Sequence, residues 1–184
     1  MLKKVVAIVG MAGSGKSEVS RVFENRGWVR VRFGDITDME MKKRELDICE
    51  ASERLCREDL RREFGMAAYA ILNRPRIDSA LNESNVVADG LYSWEEYLSF
   101  KDYYGERFYV IAVCSSPETR YNRLAGRTNR PLSRAEARSR DKAEIENLNK
   151  GGPIAMADFA ILNENGLHEL RQRAEWVAAE LEKS

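Results

Sequence analysis

The chain contains few of the residues that build metal centres and disulfide frameworks. Its 184 residues include one histidine and three cysteines. The cysteines, Cys49, Cys56 and Cys114, are odd in number and lack the short paired spacing of a zinc site. With so few nitrogen and sulfur ligands, an ordinary protein-ligated zinc site is excluded. We expect small buried thiols in a reducing cytoplasm instead.

The chain also has neither a net charge nor a long apolar run. Its 30 Lys and Arg residues balance 30 Asp and Glu residues, whereas proteins that bind duplex nucleic acid are usually basic. No apolar run approaches the roughly 20 residues of a membrane helix, and the apolar start is too short for a signal peptide. We therefore expect one cytoplasmic domain over residues 1–184, monomeric or homodimeric, with a small-molecule substrate and with neither nucleic acid nor membrane as a partner.

The most informative pattern lies near the start of the chain. Residues 10–17, Gly-Met-Ala-Gly-Ser-Gly-Lys-Ser, match the phosphate-binding pattern G-x-x-x-x-G-K-[ST] between a predicted strand and a predicted helix. Glycines let the backbone bend so that its N–H groups form an anion nest. Lys16 can reach the β- and γ-phosphates, and the Ser17 hydroxyl can bind Mg²⁺. The pattern predicts ATP and Mg²⁺ as cofactors, bound by Gly10, Met11, Ala12, Gly13, Ser14, Gly15, Lys16 and Ser17.

Strand-like and helix-like segments alternate along the whole chain. This alternation predicts an α/β fold, a five-stranded parallel sheet with helices on both faces. The predicted strands are residues 5–9, 29–33, 85–88, 108–114 and 158–162. Ser93 with Glu96, and Ser133 with Glu136, have the spacing of helix capping boxes. Residues 151–153, Gly-Gly-Pro, predict a turn.

Residues 38–83 form a charged, largely helical insertion in this prediction. Gly65 and Pro75 are expected to break it into separate helices. Arg61 and Arg62 lie in this segment, where an arginine could clamp a phosphate on the acceptor substrate, and Arg61 is the candidate acceptor-binding residue. The alternative is a solvated helix face, since the segment is rich in surface charge.

Two aspartates follow predicted strands at the edge where doubly wound sheets bind their ligands. Asp35 could accept the proton of an attacking hydroxyl or hold that hydroxyl in line. Asp89 follows a strand of the Walker B type. Its carboxylate could hold a Mg²⁺-bound water, or it could position the acceptor. The alternative for both residues is a turn or cap aspartate without a catalytic part.

Arginines recur at steps of three or four later in the chain, at positions 120, 123, 127, 130, 134 and 138. Pro131 interrupts the helix that they would share, so we expect two arms of a lid over residues 124–142. Phosphoryl transfer needs cations over the transferring group, and guanidinium groups suit phosphate oxygens. The candidate lid residues are Arg123, Arg127 and Arg130, with Arg127 also a candidate catalytic and nucleotide-binding residue. The alternative is a solvated face on which these arginines pair with glutamates.

The ordered set of motifs resembles the small prokaryotic P-loop kinases described as dephospho-coenzyme-A-kinase-like or adenylate-kinase-related. Besides the phosphate-binding loop, the matching stretches are Phe33-Gly-Asp, Leu60-Arg-Arg-Glu-Phe-Gly, Val87-Ala-Asp-Gly-Leu, Ser116-Pro-Glu-Thr-Arg, Arg140-Asp and Ala157-Asp-Phe-Ala-Ile-Leu-Asn-Glu-Asn-Gly. The resemblance implies a nucleoside-monophosphate-kinase fold with an acceptor-binding insertion and an arginine-bearing lid.

The resemblance also implies roles for particular residues. Asp35 would face the acceptor, and Arg127 would belong to the lid. Asn163 would lie near the nucleotide base. The chain departs from the family at Tyr92, where an arginine often follows the Asp-Gly pair.

The expected function is an ATP-dependent kinase that transfers the γ-phosphoryl group to a metabolite, with dephospho-coenzyme A as the first candidate acceptor. A nucleoside monophosphate kinase acting on AMP or CMP is the close alternative. A nucleotide-dependent switch is a further alternative, although the chain lacks an Asn-Lys-x-Asp element and the Asp-x-x-Gly spacing of a switch loop.

Overall fold

A parallel sheet forms the centre of the protein. The computed structural model describes residues 2–128 and 131–183, except for the side chain of Glu50. Within these residues the five strands are all parallel and lie in the order β2-β3-β1-β4-β5. They are β1 (Val5–Val9), β2 (Val29–Arg32), β3 (Val86–Asp89), β4 (Phe108–Cys114) and β5 (Phe159–Leu162). The predicted fold class is confirmed.

Helices connect successive strands and cover both faces of the sheet. They are α1 (Lys16–Asn25), α2 (Asp35–Lys43), α3 (Glu50–Phe64), α4 (Ala68–Leu81), α5 (Trp94–Tyr104), α6 (Pro117–Ala125), α7 (Arg134–Glu146), α8 (Gly151–Ala155) and α9 (Leu167–Lys183), with a 3₁₀ turn at Gly105–Arg107. The two predicted capping boxes are present at the starts of α5 and α7. No helix within the described part of the chain is long and apolar enough to cross a membrane.

The side chains of β1 alternate between two hydrophobic cores. Val5 and Val9 pack on the face covered by α4 and α5, and Val6 and Ile8 pack on the face covered by α1 and α9. All of these side chains have 0% exposure. A strand buried on both faces has no polar side to display, which explains its continuous apolar sequence.

The predicted helix break at Pro75 is wrong. Helix α4 runs through Pro75 from Ala68 to Leu81. Proline removes the hydrogen bond to the carbonyl group four residues earlier, here Ile71. Pro75 and Ile71 are both exposed, so water can solvate the freed carbonyl, while Asn73 and Ile77 on the opposite side are buried. Packing of that buried side outweighs the local cost of the proline.

The predicted turn at residues 151–153 is also wrong, because Gly151 begins the short helix α8. Pro153 is the third residue of this helix, where the backbone N–H has no partner within the helix and its loss costs little. Gly152 lies so close to α5 that an added Cβ would lie 2.6 Å from Cε3 of Trp94. The close packing on α5 therefore holds a segment whose composition favours a turn.

The expectation that all three cysteines are buried holds only in part. Cys56 is buried and Cys114 is intermediate, but Cys49 is exposed. Cys49 precedes the first residue of α3, and its Sγ lies 3.3 Å from the Ser52 hydroxyl oxygen. This helix end faces solvent, which explains the exposure.

Candidate nucleotide and acceptor site

The phosphate-binding loop follows β1, the central strand, and leads into α1. Gly10 and Gly15 have φ angles of 141° and 105° in this loop. An added Cβ at Gly10 would lie 2.3 Å from the carbonyl oxygen of Val113, and one at Gly15 would lie 2.5 Å from Asn163 Nδ2. Only glycine satisfies both the backbone conformation and these contacts. Other segments of the same polypeptide, at Val113 and Asn163, therefore hold the loop in its bent conformation.

Lys16 begins α1 and turns its side chain back over the loop. Its Nζ donates a hydrogen bond to the carbonyl oxygen of Met11 at 3.0 Å. Burial and the nearby charge of Lys150 lower the pKa of Lys16 to about 7, against the opposing charges of Glu144 and Asp89. A bound polyphosphate would place a negative counter-charge beside the Lys16 ammonium group and so favour its charged form.

Asp89 ends β3 and is held by Arg30. The Arg30 guanidinium donates from Nε at 3.1 Å and from Nη2 at 2.5 Å, in both cases to Asp89 Oδ2. Oδ1 accepts no hydrogen bond from any described residue. One carboxylate oxygen therefore stays available at the edge of the sheet.

The available oxygen ligands suit Mg²⁺ that is held largely by phosphate and water. Among the residues that the structure describes, no cluster of three or more His, Cys, Asp or Glu side chains could enclose a metal ion. Mg²⁺ in nucleotide sites needs only one or two protein ligands, because phosphate oxygens and waters complete its shell. The Ser17 hydroxyl, on an exposed residue, and Asp89 Oδ1 fit this requirement.

Asp35 is the first residue of α2 and lies between two arginines. Arg76 of α4 donates from Nη2 to Asp35 Oδ2 at 2.7 Å, and Arg32 Nη1 lies 3.4 Å from Oδ1. Neither arginine was a sequence candidate. Arg76 in particular is 41 positions away from Asp35 along the chain. The two guanidinium groups hold the carboxylate in a defined orientation.

Arg61 is a half-buried arginine of α3 without a hydrogen bond or ion pair to any other described residue. Its guanidinium carbon lies 5.3 Å from the ring centroid of Tyr69, and its Nε is buried without a partner. The Tyr69 hydroxyl in turn lies 2.5 Å from the hydroxyl of Thr37, two residues after Asp35. The next residue, Arg62, contrasts with Arg61 because it pairs with an aspartate on the surface.

Glu96 lies in the first turn of α5 and interacts electrostatically with Arg61. It is 0% exposed, and its Oε2 accepts hydrogen bonds from the backbone N–H groups of Tyr92 at 2.7 Å and Ser93 at 3.2 Å. Its Oε1 is buried and has no partner. Burial raises the pKa of Glu96 to about 7, although these N–H groups and the charge of Arg61 oppose the shift. The sequence identified Glu96 only as a capping residue.

A buried ion pair fastens α6 and α7 to the phosphate-binding loop. Arg120 donates to the two carboxylate oxygens of Asp141 at 2.9 and 2.7 Å, and Tyr121 donates to Oδ2 at 3.0 Å. Arg120 Nη1 also donates to the carbonyl oxygen of Ala12 at 3.2 Å. The predicted lid helix α7 is therefore tied directly to the loop. Arg134, by contrast, pairs with Glu118 on the surface, as the solvated-face alternative expected.

Arg123 and Asn163 lie together beside the loop. Arg123 donates to Ser115 Oγ at 3.1 Å and to Asn163 Oδ1 at 3.3 Å. Asn163 Nδ2 donates to the carbonyl oxygen of Ser14 at 2.7 Å. Asn163 thus supports the loop backbone, and Arg123 lies in α6 at the carboxyl ends of β4 and β5.

Two further arginines, Arg127 and Arg140, interact electrostatically. Arg127 follows α6 and is exposed overall, and partial desolvation of its guanidinium group and the charge of Arg140 lower its pKa. Arg140 donates from Nε to Glu144 Oε1 at 3.0 Å. The candidate lid residue Arg130 lies outside the described residues. Only the Arg140-Asp pair within the family resemblance indicated Arg140, and the sequence indicated Glu144 only as one of the glutamates that would pair with arginines on a solvated face.

The fold and the loop together define a P-loop protein with a kinase-like fold. The solved gluconokinase from Sinorhizobium meliloti matches with a TM-score of 0.64 at 13% identity, over 99% of this chain and 95% of that chain. The dephospho-CoA kinase from Campylobacter jejuni matches with a TM-score of 0.56 at 15% identity, over 100% of both chains. At these identities the likeness shows the fold alone.

The sequence comparisons identify the family. A model described as an AAA domain matches residues 6–147. The chain is 35% identical over 181 residues to a UPF0200 protein of Thermococcus sibiricus, covering 96% of this chain and 95% of the relative. The chain belongs to the AAA domain family, and it also belongs to the UPF0200 proteins. The expected resemblance to small P-loop kinases is confirmed.

Proposed function

We propose that the protein is an ATP-dependent phosphotransferase that moves the γ-phosphoryl group of ATP to a small-molecule acceptor. The observation that carries this proposal is a convergence at one edge of the sheet. The phosphate-binding loop, Asp35 and Asp89 all lie at the carboxyl ends of neighbouring strands, and the ion pair between Arg120 and Asp141 ties α7 to the same loop. Phosphoryl transfer needs these parts, since it depends on positioning and on neutralising charge.

Each part has a defined task in the reaction. The loop amides and Lys16 bind the triphosphate, and Asp35 orients the acceptor. The acceptor oxygen bonds to the γ-phosphorus while the bridging oxygen leaves with ADP, and the hydroxyl proton passes to the Asp35 carboxylate. Arg127 and Arg140 stabilise the charge on the transferring group. When bound by Ser17 and Asp89, Mg²⁺ supplies further charge neutralisation.

Dephospho-coenzyme A is the acceptor that we test first. A hydroxyl acceptor uses a carboxylate such as Asp35, which its two arginine partners hold at the sheet edge. The structural neighbour from Campylobacter jejuni is a kinase of that compound by name.

A nucleoside monophosphate is the second candidate acceptor, and Arg61 favours it. A half-buried guanidinium that forms no hydrogen bond or ion pair with any described residue suits a phosphate dianion.

The test is release of ADP from ATP and Mg²⁺ in the presence of dephospho-coenzyme A, AMP, CMP, dTMP or gluconate. We expect one acceptor to stimulate release, and we expect Lys16→Ala to reduce that stimulated rate by at least about a hundredfold. Calorimetry with each nucleotide accompanies the assay. Wild-type activity in the Lys16→Ala variant would refute the proposal, and tight GTP preference without acceptor-stimulated release would favour a switch.

A further inference from the structure

The turn between α7 and α8 buries a lysine beside the candidate site. Lys150 is 1% exposed, and it follows Asn149, which has the unusual positive φ of 49° for a residue other than glycine. Its Nζ donates to Glu144 Oε2 at 2.6 Å and lies 5.0 Å from the ring centroid of Tyr92. An ammonium group so deeply buried is costly unless it is paired. Among the described residues, Glu144 is the one carboxylate within ion-pair distance of Lys150, and it therefore determines what Lys150 can do.

That partner divides its two oxygens between two cations. Glu144 Oε2 accepts from Lys150, and Glu144 Oε1 accepts from Arg140 Nε at 3.0 Å. Burial alone would raise the pKa of Glu144, but the charges of Lys150 and Arg140 outweigh it and hold the pKa below its usual value. The carboxylate is thus fixed from the buried side by Lys150 and presents its other oxygen to Arg140.

Arg140 is in turn confined to the neighbourhood of the loop. It precedes Asp141, whose ion pair with Arg120 ties α7 to the loop. Burial is the main cause of the lowered pKa of Lys16 and of Arg127, and the charge of Arg140 adds to the lowering of each. The Arg140 side chain nevertheless keeps 50% exposure, so it can still meet a ligand.

We propose that Lys150 and Glu144 are positioning residues that orient Arg140 toward the transferring phosphoryl group. This proposal rests on the proposed phosphotransferase function. The pair acts through Arg140, because Lys150 itself is almost completely enclosed. A surface arginine would sample many rotamers, and the fixed carboxylate restricts Arg140 to those that keep its Nε hydrogen-bonded to Glu144.

The exposed pair on the same helix supplies matched controls. Lys142 and Glu146 are four residues apart on α7, with side chains 72% and 59% exposed. Lys142→Met and Glu146→Gln make the same chemical changes as Lys150→Met and Glu144→Gln, but on the solvent side. We expect the two controls to change every parameter by less than about twofold, because exposed ion pairs contribute little.

The first measurement needs no acceptor. Binding of Mg·ADP is compared with binding of Mg·ADP plus aluminium fluoride, which imitates the phosphoryl group in transit. We expect Lys150→Met and Glu144→Gln to weaken binding of the aluminium fluoride complex by about tenfold or more, with binding of Mg·ADP alone unchanged. Lys150→Arg, which keeps the charge, should recover much of the loss. Because Lys150→Met leaves Glu144 buried without its partner, the double variant Lys150→Met with Glu144→Gln keeps the test usable if the single variant unfolds.

The second measurement uses the acceptor that the panel identifies. We expect kcat to fall by about tenfold or more in Lys150→Met and KM for ATP to stay within about twofold. Adding Lys150→Met to Arg140→Lys should cause no further loss, since the two residues act as one unit. Full activity of a folded Lys150→Met variant, or additive losses with Arg140→Lys, would overturn the inference while leaving the phosphotransferase in place. A wild-type protein that binds no ATP would overturn both.

Discussion

The strongest single prediction concerns the buried ion pair that ties α7 to the loop. Asp141 accepts three hydrogen bonds, two from Arg120 and one from Tyr121. The side chains of Arg120 and Asp141 are only 5% and 11% exposed. Asp141→Asn removes the negative charge and replaces one accepting oxygen with an amide nitrogen that faces donors. Arg120 is then left as a buried charge without a counter-ion.

The expected cost follows from that geometry. Breaking one partner of a buried, hydrogen-bonded ion pair costs about 3–5 kcal/mol. Most proteins unfold with about 5–15 kcal/mol in total, so this substitution should remove a large share of the stability. We also expect weaker ATP binding, because Arg120 donates to the carbonyl oxygen of Ala12 in the loop.

Urea denaturation measures the free energy of unfolding of wild type, Asp141→Asn and a control. The control is Glu118→Gln, which breaks the ion pair between Glu118 and Arg134. Both of these side chains are 60% exposed. An exposed pair contributes about 1 kcal/mol or less. If Asp141→Asn costs no more than Glu118→Gln, the reasoning about burial at this site is refuted.

Three further substitutions test other parts of the site. Burial raises the pKa of Glu96 from 4.5 to about 7, so the folded chain retains a proton that the unfolded chain releases. The stability of wild type should therefore fall by up to about 3 kcal/mol as pH rises from about 4.5 through 7, and Glu96→Gln should flatten that fall in urea titrations. The control Glu136→Gln, in the exposed capping box of α7, should retain the wild-type slope. Arg61→Ala should raise KM for a phosphate-bearing acceptor by about tenfold or more without changing KM for ATP, whereas Arg62→Ala should change neither. Equal effects of the two arginine substitutions would contradict the acceptor role of Arg61. Gly15→Ala should abolish nucleotide binding in calorimetry, because a Cβ there would collide with Asn163.

Much of the fold could be predicted because its signals are local. The apolar run of β1, the loop glycines and the two capping boxes each depend on residues within a few positions of one another. The errors arose where packing outweighed local preference. Pro75 stays inside α4 because its exposed side faces water while the opposite side is buried, and Gly152 stays in α8 because it packs on Trp94.

The candidate site was predictable only in outline. Lys16, Ser17 and Asp35 belong to motifs that a reader can recognise in the sequence. The hydrogen bond from Arg76 to Asp35 and the anchoring of α7 come from pairs 41 and 21 positions apart. Nothing in the sequence distinguishes the buried Lys150 from the exposed Lys142, or Arg61 from Arg62.

The amino-acid sequence alone determined that this chain has a phosphate-binding loop within an alternating α/β order, because glycine geometry and hydrophobic periodicity act over short distances. Only the tertiary structure decided which charged groups are enclosed and which face water. Burial depends on how the whole molecule packs. Burial also determines how much free energy is lost when Glu96, Asp141 or Lys150 is left without its partner.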